Sequence, residues 1–576
     1  MPKKKNNLTI KQIKLKLNLS MDKFEKVKIP GRTAQFRTIL VFVVVFVLVG
    51  ALVLFVTKAS PFASSSEAED GNNSGVAVVN DTNASGGKSI RFGGLDIATS
   101  SKPLPFDLPL KETLRSSSKL VLAHYFPPLP ISIDNQDPSN DYYARNFLKP
   151  DGENGKHAAY GGHLRQRPLV RAPYTGTLAT SANSATCPLP SPWGWRLPDM
   201  ETEVRNAIAG GLDGFTLNVM TAPARGDFRV CQNAFLMLEA AQRVDPNFKI
   251  VIMPDMSGGL ADMTMADFAA FVNMLSKYPS AYRLPDGRLV LAPFYPEKNH
   301  NATWWAQLFT MLDTQYGIKV AFVPCFLNYP ANAAAFEPIS YGFSNWGNRN
   351  PKSNSNLAAN MADARSRGKI WMQAVSVQDA RPRYGVFDEA NNSENLRVTW
   401  NAAISGADWV QIPTWNDYTE GTIIAPSTHI GWSPLDITSY YLTRFKTGSW
   451  PTIKRDVIYV SHRIQPHAAQ PTYPQTLLQQ LRTGSSPARD TVEILSFLPT
   501  PATVTVKIGN NDYTYTAPAG VNSQIYPLAL GQVTAKVTRG STTTAGVNSP
   551  FPVISNPYVQ DLEYYFRSSS REGSPN

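Results

Sequence analysis

The stretch 407–421, ADWVQIPTWNDYTEG, holds the residues of this chain best suited to chemistry. Asp417 and Glu420 stand three residues apart, beside Trp415, Tyr418 and the amide of Asn416, just past the apolar run Trp409, Val410 and Ile412. Two neighbouring carboxyls suit cleavage of a sugar acetal, one protonating the leaving oxygen while the other activates water or attacks. Rings and amides nearby supply stacking and hydrogen bonds for such a substrate. An isolated D-x-x-E is more often a strand end with solvated acids. The elements that carry the pair therefore decide its meaning.

Apolar runs of strand length recur at 120–126, 214–219, 249–256, 288–295, 318–327, 339–346, 369–377 and 407–415. Amphipathic stretches at 199–210, 233–244, 266–278, 304–316, 357–368 and 395–406 separate them, the link from the fifth run to the sixth is short, and a last helix is expected at 435–446. Strands apolar on both faces and alternating with helices predict a parallel α/β fold. The number and span predict a (β/α)8 TIM barrel over 119–450, with its largest insertion at 127–198. The Gly-rich phosphate turn of an open doubly wound sheet does not follow the first run.

Active sites of such barrels form at the carboxyl ends of the strands. That rule gathers His124 and Tyr125, Asn218, Asp255, Tyr295, Trp346, Gln373, Trp415 and Asn416 as candidate substrate-binding residues around Asp417 and Glu420. The set is rich in amides, acids and rings and poor in Lys and Arg, which favours a neutral polyhydroxylated substrate over a phosphate. Asp213 precedes its strand and reads as a structural residue at the opposite end. On the long first loop, KHAAYGGHLRQRP places His157, Tyr160, Gly161 and Gly162 where they either close on substrate or serve as scaffold.

The net charge of +11 is concentrated in residues 1–37, a basic cytoplasmic tail with eleven Lys and Arg against Asp22 and Glu25. The nearly neutral remainder argues against nucleic-acid binding. Residues 38–57 form an uncharged apolar run long enough, at about 1.5 Å per helical residue, to cross a bilayer, and read as a transmembrane signal anchor. The basic flank keeps the N-terminus cytoplasmic, so a single-pass cell-membrane protein with an extracellular catalytic region is expected. Residues 58–118, rich in Ser, Asn and Gly, read as a flexible linker. Residues 455–570 alternate apolar and polar with Gly and Pro punctuation, which predicts an antiparallel β-sandwich, either a structural lid on the barrel or a carbohydrate-binding module. Cys187 and Cys231 lie where one bridge is feasible, Cys325 reads as buried, and no Cys/His spacing suits zinc. No cofactor or metal is expected.

KLVLAHYF, DMETEVRNAIAGG with GLDGFTLNV, VIMPDMS and VQIPTWNDYTEG together resemble glycoside hydrolase family 71, the endo-1,3-α-glucanases or mutanases, and its bacterial members most. The resemblance covers about 120–446 and implies hydrolysis of α-1,3-glucan with inversion. It implies Asp417 and Glu420 as the catalytic acids, with Glu420 taken as general acid and Asp417 as base, and His124, Asn218, Asp255 and Trp346 along the substrate. Thr419-Glu420-Gly421 departs from the family's Gly-Glu-Ser and is similar to the W-N-E-W-x-E-G of family 99-type endo-α-mannosidases, in which both acids are Glu. A family 99-like mannosidase, a hydrolase modifying the cell's own polysaccharide and a non-catalytic wall-glycan-binding surface protein are the alternative readings.

Overall fold

The structure is a computed structural model that describes residues 77–80, 88–91, 103–176, 194–221 and 228–571. The expected tail, the expected membrane anchor, Cys187 and the side chain of Cys231 lie outside the described residues. No helix among the described residues is long and apolar enough to cross a membrane. Within the expected linker, β1 (Ala77–Asn80) pairs antiparallel with β2 (Lys88–Arg91). These strands belong to a separate compact unit, 1–96.

The second unit runs from 97 to 576 and reaches further toward the N-terminus than the boundary expected at Lys119. Phe106 and Leu114, the latter on helix α1 (Lys111–Arg115), are buried in its core, and Lys454 N–H donates to Pro105 O.

Its centre is a parallel sheet of β3 (Leu120–Tyr125), β4 (Gly214–Val219), β5 (Lys249–Pro254), β6 (Leu289–Leu291), β7 (Val320–Phe322), β8 (Cys325–Phe326), β9 (Gly342–Asn345), β10 (Ile370–Ala374) and β13 (Trp409–Ile412). The order is β7-β6-β5-β4-β3-β13-β10-β9-β8. β7 and β8 are one predicted strand interrupted at Val323 and Pro324. Proline has no N–H to donate to a ladder, so the strand breaks there. β7 bonds to β6 and β8 to β9, so the two ends of the sheet meet in one short segment and the sheet curls on itself in a TIM-barrel-like manner.

Helices α2 (Arg196–Ala209), α3 (Phe228–Val244), α4 (Met265–Ser276), α5 (Ala302–Tyr316), α6 (Tyr329–Phe336), α7 (Leu357–Ser366), α8 (Glu394–Gly406) and α9 (Ser433–Thr447) fall between or after the strands. Only α6, in the short link after the broken strand, is weak, with eight residues.

Strand parity sorts the side chains, because successive residues point to opposite faces. Leu120, Leu122, Val251, Val290, Ala292, Met372 and Trp409 form one buried cluster inside the curl. Val121, Ala123, Tyr125, Phe215, Leu217, Ile250, Leu289, Trp371, Val410 and Ile412 belong to the larger cluster against the helices. Toward the carboxyl ends the inner face turns polar, with His124, Thr216, Asn218 and Gln411. Asp213 sits at the other end, where its Oδ2 accepts from Val121 N–H at 2.7 Å and pairs with Lys446 at 2.6 Å.

Beyond β10 a hairpin of β11 (Asp379–Arg381) and β12 (Val386–Asp388) rises over the strand ends. The C-terminal part has β14 (Val457–His462), β15 (Gln480–Leu481), β16 (Thr491–Leu498), β17 (Ala502–Ile508), β18 (Asn511–Ala517), β19 (Gly520–Pro527), β20 (Val533–Arg539), β21 (Thr542–Asn548) and β22 (Tyr565–Ser568). Its two four-stranded antiparallel sheets, β19-β16-β14-β22 and β18-β17-β20-β21, enclose a core that includes Ile458, Val460, Ile494, Val504 and Val537. The other face of the first sheet turns Tyr459, Leu495 and Phe497 into the barrel's own core, with Phe497 edge-on to Tyr440 of α9 at 5.1 Å. β15 leaves the sandwich and pairs with β12.

Candidate active site

A cavity of about 530 Å3 opens at the carboxyl ends of the strands. His124 enters from β3, Asn218 from β4, Asp255 from just past β5 and Trp346 from just past β9. Asp417, Thr419 and Glu420 reach it from the loop after β13, and the hairpin lowers Arg381, Arg383 and Tyr384 onto its rim.

The loop after β13 is shaped by its own polar groups. Asp417 N–H donates to Thr414 Oγ1 at 2.8 Å, and Asp417 Oδ1 accepts from Thr419 N–H at 3.0 Å and Thr419 Oγ1 at 2.5 Å. Such an Asx turn fixes the carboxylate without further help. Glu420, with 19% of its side chain exposed, takes Arg381 Nη1 at 2.7 Å on Oε1. Gly421 follows at φ +63°, in the left-handed region that favours glycine. A Cβ there would stand 2.9 Å from Glu563 Oε1.

Burial and the charge of Asp417 push Glu420 up to about 8, against the pull of Arg381. Burial also raises Asp417 above its ordinary value, with Thr419 and Arg381 opposing. Two carboxyls that repel one another and are both desolvated favour retention of one proton between them. Burial opposes the charge on Arg381, yet Asp379 and Glu420 hold it firmly protonated.

Across the cavity runs a second polar line. Asn218 Nδ2 lies 3.2 Å from His124 Nε2 and 3.1 Å from Asp255 Oδ2, while Asp255 Oδ1 accepts from Ser257 N–H at 2.8 Å and Oγ at 2.6 Å. Burial, with Arg349 nearby, drops His124 to about 3, so its ring is neutral. With Asn218 donating to Nε2, the ring proton sits on Nδ1, which faces Met253 Sδ at 3.1 Å. Asn218 Oδ1 is buried without a partner, an acceptor left open on the cavity side. Trp346 stands edge-on to His124 at 4.9 Å and is half-buried, with part of its ring facing the cavity. Among the described residues no group of His, Cys, Asp and Glu is arranged to hold a metal.

Five expected substrate residues are absent from the wall. Tyr125 has the opposite parity to His124 and turns outward, its hydroxyl 2.9 Å from Met200 Sδ. Gln373, opposite in parity to Met372, is buried with Trp371 Nε1 donating to its Oε1 at 2.9 Å. Trp415 turns beneath its loop, against Phe215 at 5.1 Å, and its indole N–H donates to Glu203 Oε2 at 2.8 Å. Asn416, also fully buried, clips the first loop, accepting from Phe126 N–H at 2.7 Å and donating to Phe126 O and Leu129 O at 3.0 Å. Tyr295, at φ +54°, yields its place on the wall to Phe294. Ser257, Arg381, Arg383 and Tyr384 were not expected. Ser257 follows Asp255 at Asx-turn spacing, and the RPRYG of the hairpin tip carries turn chemistry, both readable signals.

The chain belongs to glycosyl hydrolase family 71, whose model matches residues 193–570, and it is a glycoside hydrolase. It is 27% identical over 368 residues to the glucan endo-1,3-alpha-glucosidase agn1 of Schizosaccharomyces pombe, covering 58% of this chain and 82% of that protein. To the mutanase Pc12g07500 of Penicillium rubens it is 24% identical over 382 residues, 61% of this chain and 81% of that one. Among solved structures, the GH99 endo-alpha-mannosidase from Bacteroides thetaiotaomicron aligns with 16% identity and a TM-score of 0.39 over 57% of this chain and 97% of that chain.

Proposed function

We propose that this chain hydrolyses α-1,3-glucan outside the cell, on a closed (β/α)8 barrel, by an inverting mechanism in which Glu420 is the general acid and Asp417 the general base. The observation that carries this reading is that Asp417 and Glu420 both line the cavity, with Glu420 pushed up to about 8 by burial and by Asp417. Around neutral pH Glu420 then holds the proton. It passes that proton to the glycosidic oxygen as the C1–O bond breaks. A water molecule attacks C1 from the opposite face and gives its proton to Asp417, leaving a hemiacetal of inverted configuration. Asn218, Asp255 and His124 meet sugar hydroxyls, and Trp346 stacks on a ring face. The names of the curated relatives support the α-1,3 linkage, and the basic tail followed by the apolar run 38–57 supports anchoring with the barrel outside.

The test is release of reducing ends from α-1,3-glucan and from α-mannan by the full chain, with the anomer of the first product followed by proton NMR. The Asp417→Asn, Glu420→Gln double variant should lose about a thousand-fold or more in rate. Equal rates for parent and double variant would remove the catalytic assignment, and faster turnover of mannan would remove the substrate.

A further inference from the structure

The first-loop insertion does more than roof the barrel. It forms a second cavity of about 570 Å3, which shares Phe147, His163 and Arg383 with the first. The two spaces are therefore neighbours across one side-chain boundary. Each falls within the roughly 300–1,000 Å3 usual for small-molecule sites.

The second cavity has a built polar wall. Glu153 Oε1 accepts from Tyr142 hydroxyl at 2.6 Å, and Glu153 Oε2 lies 2.7 Å from His157 Nε2, which must donate because the carboxylate only accepts. His157 Nδ1 then accepts from the Tyr160 hydroxyl. The His157 ring stacks on His163 at 4.3 Å, and His163 Nδ1 is buried without a partner. Arg383 is exposed at the hairpin tip beside the Tyr384 ring, and no carboxylate among the described residues pairs with it.

The wall is rigid. Gly161 at φ +78° and Gly162 at φ +109° turn the loop back so that His163 returns to the boundary. Buried Arg165 secures that turn, donating to Tyr160 O at 2.6 Å and Gln560 O at 2.7 Å. Ala159 O accepts from Thr476 N–H and Leu477 N–H, which belong to the C-terminal part.

We infer that this cavity is a remote glycosyl subsite, in which His163, Arg383 and Glu153 take the hydroxyls of a neutral sugar unit of the same polysaccharide chain, so that cleavage depends on chain length. The inference rests on the proposed glucanase reading of the first cavity. Glu153 on the wall disfavours an anionic sugar, and Lys156 already faces Glu153 at 3.5 Å. Binding energy from a unit remote from the scissile bond supports the reaction at that bond, which is why truncated substrates lose rate. Glu153, Lys156, His157, Tyr160 and His163 precede the family-matched segment 193–570, whereas Arg383 lies within it.

Two substitutions on the insertion test it in the full chain: Lys156→Trp, at an exposed position, fills the cavity, and Glu153→Gln exchanges a charged hydroxyl acceptor for a neutral one. On a ladder of α-1,3-gluco-oligosaccharides, each should lower kcat/KM for long chains by about ten-fold, the value of one or two good hydrogen bonds, and much less for the shortest cleavable chain. Calorimetry on the Asp417→Asn, Glu420→Gln protein should show affinity rising with chain length, and Lys156→Trp should flatten that rise. Equal losses at every length, or none, would overturn the subsite, and tighter binding of uronate-bearing oligosaccharides would overturn its neutral specificity. Length-dependent binding without cleavage of any glucan by the parent would support the subsite while removing the catalytic reading of the first cavity.

Discussion

Arg381 joins the hairpin to Glu420 through its side chain, and the strand that carries it adds a backbone bond. Its Nη1 lies 2.7 Å from Glu420 Oε1, and the neighbouring Ala380 N–H donates to Glu420 O at 2.8 Å. Asp379 holds the same guanidinium at 2.5 Å. A cation at this distance favours the charged form of the acid and works against burial and Asp417, which keep Glu420 protonated.

Replacing Arg381 by Gln should therefore let Glu420 keep its proton to higher pH. In the parent, activity should fall as pH rises through about 8, where Glu420 ionises. In Arg381→Gln the alkaline limb of kcat/KM should move upward, whereas Glu420→Gln should abolish it. A pH–rate profile on soluble glucan measures both. An unmoved limb in Arg381→Gln would separate Arg381 from the acid.

Gly421→Ala should strain the loop directly after Glu420. Its φ of +63° costs an L-residue about 1–2 kcal/mol, and the new Cβ would press on Glu563 Oε1 at 2.9 Å. Glu563 has little room to yield, since it is buried and accepts from Gln166. The expected result is a loss of about ten-fold in kcat with substrate binding nearly intact, the pattern of a displaced acid rather than a lost contact.

Asn416→Ala should act on stability first. Three backbone groups, Phe126 N–H, Phe126 O and Leu129 O, would lose their only side-chain partner in a buried setting. At about 1–3 kcal/mol for a stranded group, a total near 3 kcal/mol is expected, read as a lower denaturant midpoint. Asn416→Asp preserves the acceptor for Phe126 N–H and should be milder only when protonated, at acid pH.

Glu203, beneath Trp415, makes stability depend on pH. Burial raises its carboxyl to about 8, against the hydrogen bond from Trp415. The folded chain holds this proton while the unfolded chain releases it near the ordinary value of 4.5, so the folded state binds more protons in between. The Glu203 contribution therefore falls as pH rises from about 4.5 to about 8 and then levels off. Glu203→Gln lacks this loss but keeps an acceptor for Trp415, so its Tm should gain on the parent across that window. A constant difference would show that Glu203 does not hold the proton.

The periodicity of the chain made the strands and helices legible, down to the weak α6 after the fifth strand. The break in that strand was also visible, as Pro324, but its use in bringing the sheet ends together depends on neighbours far away in sequence. Parity within each strand could have separated His124 from Tyr125 and Met372 from Gln373. Trp415 and Asn416 were harder: past a strand end no period applies, and only the partners Glu203, Phe126 and Leu129 turn them under the loop. Arg381 and Tyr384 lie between two readable elements, in a hairpin whose approach to the mouth is set by tertiary pairing. Phe106 and Leu114 fall in a stretch read as linker, because its apolar residues Leu104, Phe106 and Leu108 are broken up by prolines and a carboxylate and find their place only against a core built elsewhere.

The pairing of β12 with β15 has a practical reach. Val386 and Phe387 take Gln480 and Leu481 as a third strand, and Arg482 clasps Asp388 at 2.7 Å. The arm bearing Arg381 is thereby stitched to polypeptide that lies after the barrel has ended. A shortened protein stopping at α9 would keep every strand of the curl and still lose the brace on the arm that holds Arg381 against Glu420. Evolution or engineering can exchange the two regions together far more easily than it can dispense with one.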